Sequence, residues 1–79
     1  MAITSEEEWG ERAAAFLKHK IQEAEITYGE MAKRLKKHGF KTETEASVAN
    51  KLARGTFAAT WFLACLAALE LDGVALEEI

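Results

Sequence analysis

Between Thr42 and Gly55 the chain sets hydroxyl, carboxamide, ammonium and guanidinium groups at the spacing of one helical face. At about 100° per residue, Glu43, Thr44, Ser47, Asn50, Lys51 and Arg54 share one side. Val48, Ala49, Leu52 and Ala53 share the other. Glu45 falls on the apolar side by angle, but at the third helical position of a Thr42-Glu43-Thr44-Glu45 capping box it is expected to turn back to the Thr42 amide. A polar face of this kind suits base edges in a DNA major groove. Asparagine pairs bidentately with adenine, arginine with guanine, and serine or threonine with several edges. The candidate base-facing residues are therefore Thr44, Ser47, Asn50, Lys51 and Arg54. Lys33, Lys37 and Lys41 are the candidates for contact with the phosphate backbone. The bland alternative is an ordinary solvated face, and a third is contact with another protein. Serine, asparagine and threonine are only middling helix formers, so a wet face built from them costs a little stability unless it is used.

Net charge is −3 over 79 residues, which would argue against a nucleic-acid partner if it were evenly spread. It is not. Residues 1–26 carry three basic and six acidic groups, and residues 57–79 carry no base and four acids. Residues 27–56 carry seven basic groups against Glu30, Glu43 and Glu45, a net of +4. Because salt screens exposed charges beyond about 8–10 Å, a polyanion responds to that segment rather than to the total.

The elements that must position these groups are all helical. Proline is absent and alanine abundant, which favours helices. Caps and periodicity predict helices over about 5–24, 27–38, 42–54 and 57–71, in one domain of residues 1–79 with a helix-turn-helix-like core at 27–55. Ser5-Glu6-Glu7-Glu8 and Thr27-Tyr28-Gly29-Glu30 are further capping boxes. Trp9, Ala13, Phe16, Leu17, Ile21 and Ala24 form the apolar stripe of the first helix, with Gly10 a slight weakness in it. Tyr28, Met31, Ala32 and Leu35 form the stripe of the second, beside Lys33, Arg34, Lys36 and Lys37. Gly39 is the expected stop of the second helix and Gly55 of the third. Thr56 is the expected cap of the fourth and Asp72-Gly73 its stop. The expected fold is an all-α bundle of four or five helices.

Two resemblances follow from these motifs. Thr27-x-x-x-Met31-Ala32, a glycine, Ser47-Val48-x-Asn50-Lys51, Arg54-Gly55 and the apolar Phe62-to-Leu69 helix resemble the DNA-binding domains of the phage lambda repressor and Cro type. That similarity covers roughly residues 12–76. It implies a transcriptional or phage-type regulator whose second motif helix enters the major groove while the first braces the backbone. One departure is the connection, usually three or four residues: here Gly39 is followed by Phe40-Lys41-Thr42 before the cap is complete, and the first motif helix is itself longer by about a turn. The chain is also similar to a family of short, uncharacterised bacterial proteins. The residues that carry this likeness are Trp9-x-x-Arg12, Thr27-Tyr28-Gly29-Glu30-Met31-Ala32, Glu43-Thr44-Glu45 with Asn50-Lys51, Arg54-Gly55-Thr56-Phe57 and Phe62 to Leu69. That family brings no assigned function.

Catalysis is not expected. His19 and His38 are far apart, Cys65 is the sole thiol and reads as a buried small hydrophobe, and no metal-ligand spacing or phosphate loop occurs. Neither cofactor nor metal is expected. The N-terminus has neither the basic start nor the apolar core of a signal peptide, and the Phe57–Leu69 run is shorter than the roughly 20 residues that span a bilayer. A cytoplasmic location without membrane contact is the expectation. The fourth helix is apolar nearly all round, and Trp61, Phe62, Leu66, Leu76 and Ile79 are expected to form an oligomer interface, that of a homodimer bound to double-stranded DNA. The competing function is a non-enzymatic protein–protein module, homodimeric or an antitoxin-like adaptor, that uses the same surface.

Overall fold

Ser5 and Thr27 each present a side-chain oxygen to the amide three residues on, accepting from Glu8 at 3.1 Å and from Glu30 at 3.0 Å. These contacts start the first two helices of the computed structural model, which describes residues 2–79. The helices are α1 (Glu6–Glu23), α2 (Tyr28–Lys37), α3 (Glu45–Arg54) and α4 (Ala59–Ala68), followed by a 3₁₀ turn at Leu76–Glu78. The described residues contain no strand. The first two helices match the sequence reading to within a residue at each end. The last two begin later than expected, and α4 also ends earlier.

Three of the helix ends share one device. After α1, α2 and α4 the backbone turns left-handed at Glu25 (φ 56°), Gly39 (φ 102°) and Glu70 (φ 60°). The next residue, Ile26, Phe40 or Leu71, donates its amide back to the carbonyl of Ile21, Leu35 or Leu66. This 6→1 bond, with a shorter bond inside it, is the Schellman arrangement, and its apolar residue folds back onto the core. Leu71 makes this turn three residues after Ala68, so Asp72-Gly73 is not the stop of α4. Two of the three left-handed positions hold glutamate, where a side chain costs about 1 kcal/mol relative to glycine. Glu25→Gly and Glu70→Gly are therefore each expected to raise stability by roughly 0.5–1 kcal/mol, read as a higher urea midpoint with unchanged slope.

The core is built from Leu17 of α1, Met31 and Leu35 of α2, Val48 and Leu52 of α3, and Cys65 of α4, all sealed from solvent. α3 packs on both α1 and α2, and α2 packs on α4. Arg34 does not join the solvated face of α2. Its guanidinium takes Glu30 at 3.1 Å and donates to the Ala68 carbonyl at 3.1 Å, closing the C-terminal end of α4. A cation there satisfies an orphan carbonyl and complements the negative end of the helix dipole.

Gly10 is not merely a weak point of α1 but the place where it comes closest to the end of α3. A Cβ on Gly10 would overlap the carbonyl oxygen of Gly55, and one on Gly55 would lie 3.0 Å from the Gly10 carbonyl group. Backbone therefore meets backbone where α1 crosses the exit of α3. No helix of the described residues is long and apolar enough to cross a membrane.

Candidate nucleic-acid interface

The connection from α2 to α3 runs His38–Thr44 and decides which polar groups α3 can present. Phe40 closes the Schellman turn of α2, and the Glu43 amide then donates to the Phe40 carbonyl at 3.1 Å, reversing the chain. The helix consequently begins at Thr44 rather than Thr42. Thr44 Oγ1 accepts from the Ser47 amide at 3.1 Å, and Ser47 Oγ accepts from the Thr44 amide at 2.8 Å. This capping box uses serine at its third position, and Glu45 instead sits at the helix start in solvent.

Glu43 is thereby left just outside α3, where helical angles do not govern it. It was expected on the wet face, but it is 3% exposed. Its carboxylate accepts from Ser47 Oγ, from Lys51 Nζ at 2.9 Å and from the buried indole Nε1 of Trp61 at 3.1 Å. The Lys51 ammonium also lies 5.2 Å from the centre of the Trp61 ring, within cation–π range. Burial would raise the Glu43 carboxyl, but the bonds from Ser47, Lys51 and Trp61 outweigh it and hold it below the usual carboxylate range. No signal in the sequence joined residue 43 to residue 61. The indole of Trp61 needed a partner once buried, and only the fold supplies it.

This network redraws the polar face of α3. Thr44 and Ser47 spend their hydroxyls on the cap and on Glu43. Lys51 is turned to Glu43 and is only partly exposed. Asn50 and Arg54 remain in solvent with no internal hydrogen bond among the described residues. Between them lies Ala53, exposed rather than in the core, with Ala49 half-buried beside it. The outward face of α3 is thus small and smooth, with two free polar groups, where five candidates had been expected.

The cations fare differently. Lys51 with Glu43, and Arg34 with Glu30, cancel one base against one acid apiece. Lys33, Lys36 and Lys37 on α2, Lys41 in the connection and Arg54 at the end of α3 all stay exposed. None of these five forms an ion pair among the described residues. Opposing them in this stretch is only the free carboxylate of Glu45, so the net of +4 read from the sequence is present as solvent-facing charge.

The residues expected at an oligomer interface divide. Trp61 is 2% exposed and Leu66 7% exposed, so both belong to the core of the chain and neither can serve a partner. Trp61 is covered instead by Phe57 of the α3–α4 turn, which folds over its ring at a centroid distance of 5.1 Å, and by Glu43 and Lys51 against its indole. Phe57 also stacks on Phe62. The cap expected at Thr56 is absent: Ala58 starts α4 without a side-chain bond. Phe62 and Ile79 are half-buried and Leu76 is exposed, and these three line one groove with Trp9 and Phe57. The Ile79 carbonyl is held by Arg12 at 3.3 Å. The Cys65 thiol is pushed up to about 12, mainly by burial and then by the Glu43 charge, so it stays protonated and unreactive near neutral pH. Among the described residues no group of side chains could hold a metal ion.

Four helices and a terminal 3₁₀ turn around one core, with a cationic stretch from α2 to the end of α3, define a small all-helical protein. The chain belongs to the family described as Domain of unknown function (DUF6471), whose model matches residues 9–74. No curated protein and no solved structure matches the chain.

Proposed function

We propose that the protein is a small, non-catalytic DNA-binding domain of the helix-turn-helix kind, with a transcriptional or phage-type regulatory role. In this reading α2 and α3 form a lambda repressor-type motif with an elongated connection. α3 enters the major groove, and α2 with the connection lies along a phosphate rail. The observation that carries the proposal is the set of five exposed, unpaired cations at Lys33, Lys36, Lys37, Lys41 and Arg54. They occupy one continuous part of a chain that is otherwise acidic, which is the electrostatic footprint a polyanion needs. Asn50 is the candidate base reader, and the exposed Ala53 suits a thymine methyl. The smooth outward face of α3 lets the helix approach the base edges closely. Thr44, Ser47 and Lys51 act from behind it, holding the start of α3 and its connection in place.

Fluorescence anisotropy on duplex DNA across a salt series tests this. Neutralising four or five phosphates predicts a log–log slope of affinity against salt near −4. Lys33→Ala with Lys37→Ala should flatten the slope by about 2 and change stability by less than about 0.5 kcal/mol. Asn50→Ala should leave the slope alone and reduce discrimination between sequences. Weak binding that ignores salt would end the proposal.

A further inference from the structure

The groove between the start of α1, the α3–α4 turn and the terminal 3₁₀ turn encloses about 880 Å³, and it takes no part in the DNA-binding reading beyond Arg54 at its edge. Its floor is apolar and aromatic, formed by Trp9, Phe57, Phe62, Leu76 and Ile79. Trp9 is 41% exposed and Leu76 63% exposed, large areas for such side chains to leave in water. Its rim is mainly acidic. Glu6, Glu7 and Glu11 line it, all exposed and none in an ion pair among the described residues. Arg54 is the single base on that rim.

We infer that this groove docks a basic amphipathic helix of a partner protein, its apolar stripe on the aromatic floor and its lysines or arginines against the carboxylates of α1. Charge complementarity selects this occupant. An anionic membrane surface would be repelled by the same rim. A second copy in a two-fold pairing would set Glu6, Glu7 and Glu11 against their own images, a like-charge contact that opposes association. A cationic helix with leucine-like anchors meets both features at once, since helix-in-groove recognition needs an apolar floor and complementary flanks.

The probe is a synthetic peptide made only of leucine and lysine, with leucines at helical spacing, titrated against the full chain. Its twin carries glutamate for lysine. Trp61 is sealed in the core while Trp9 lies in the groove, so docking should shift tryptophan emission to the blue, and Trp9→Phe should abolish that shift while binding persists. Leu76→Asp, and separately Glu6→Lys with Glu7→Lys and Glu11→Lys, should each weaken peptide affinity about tenfold or more. The glutamate twin should not bind. Light scattering should find one chain per particle, since a dimer dissociated by Leu76→Asp would make the occupant a second copy and overturn the inference. So would failure of the lysine peptide to bind, equal binding of both peptides, or an affinity that the groove variants leave unchanged. Circular dichroism of each variant separates lost binding from lost folding, and Lys33→Ala with Lys37→Ala should leave peptide affinity intact.

Discussion

Gly10→Ala is expected to lower the stability of the protein by about 2–3 kcal/mol and its melting temperature by roughly 10–20 °C. In most helix interiors the same change is favourable, because alanine forms helix better than glycine by about 1 kcal/mol. Here the added methyl would meet the carbonyl oxygen of Gly55, a backbone atom that no rotamer change can move aside. Relief requires α1 to lift from the exit of α3, and with it the ring of Phe16 and the edge of Leu17 from the core. Gly29→Ala is the control. Its methyl would lie 3.5 Å from Glu45 Oε1 and 3.6 Å from Thr27 Oγ1, ordinary contacts, so that variant should gain roughly 0.5 kcal/mol. Opposite signs in thermal denaturation are the expected result. If Gly10→Ala stabilises as Gly29→Ala does, the helices do not cross at that distance. Because Arg54 and the groove floor both hang on this crossing, Gly10→Ala should also weaken DNA and peptide binding together.

The existence of four helices was legible because it depends on local chemistry. Ser5 and Thr27 cap where their hydroxyls can reach an amide three residues on, and Phe16, Leu17, Met31 and Leu35 recur at the helical period. Position along the third helix was legible only in part. Two threonines, Thr42 and Thr44, each begin a plausible cap, and the choice is made by the turn from Phe40 to Glu43, which is fixed by the end of the preceding helix. With the cap at Thr44, Glu43 lies outside the helix, and it draws Ser47 and Lys51 away from the free polar face. Gly10 was unreadable for another reason. A glycine inside a helix carries no mark of what lies opposite, and its partner Gly55 is distant in sequence and already explained by its left-handed turn (φ 67°). The cationic stretch survived intact because charge counts are insensitive to such shifts. Internal pairing removed one acid with each base.

Glu43 ties the fold to the face that α3 presents, and its removal has the second large effect. Glu43→Ala leaves the buried indole N–H of Trp61 without an acceptor, which costs about 1–3 kcal/mol, and it also deletes the bonds from Ser47 and Lys51. The Lys51 head can return to water, so the full loss expected for a sealed ion pair does not apply, and about 3 kcal/mol is the expected total. Glu43→Gln keeps the shape and an acceptor for Trp61, and should lose roughly half of that. The dependence on acid follows from the lowered carboxyl. A folded value below the unfolded one, near 4.5, means that the contribution is complete above that pH and disappears as pH falls through the folded value. The difference in urea midpoint between the wild type and Glu43→Gln should therefore hold constant from neutral pH down to about 5 and shrink below it. A difference that persists undiminished into strong acid would show that the charge on Glu43 contributes nothing. Under the proposed DNA-binding reading, releasing Lys51 should also add one free cation to the cationic segment, steepening the salt slope of DNA binding by about 0.9. A less stable protein that binds duplex DNA more tightly at low salt would be hard to explain if Lys51 lay far from the phosphates.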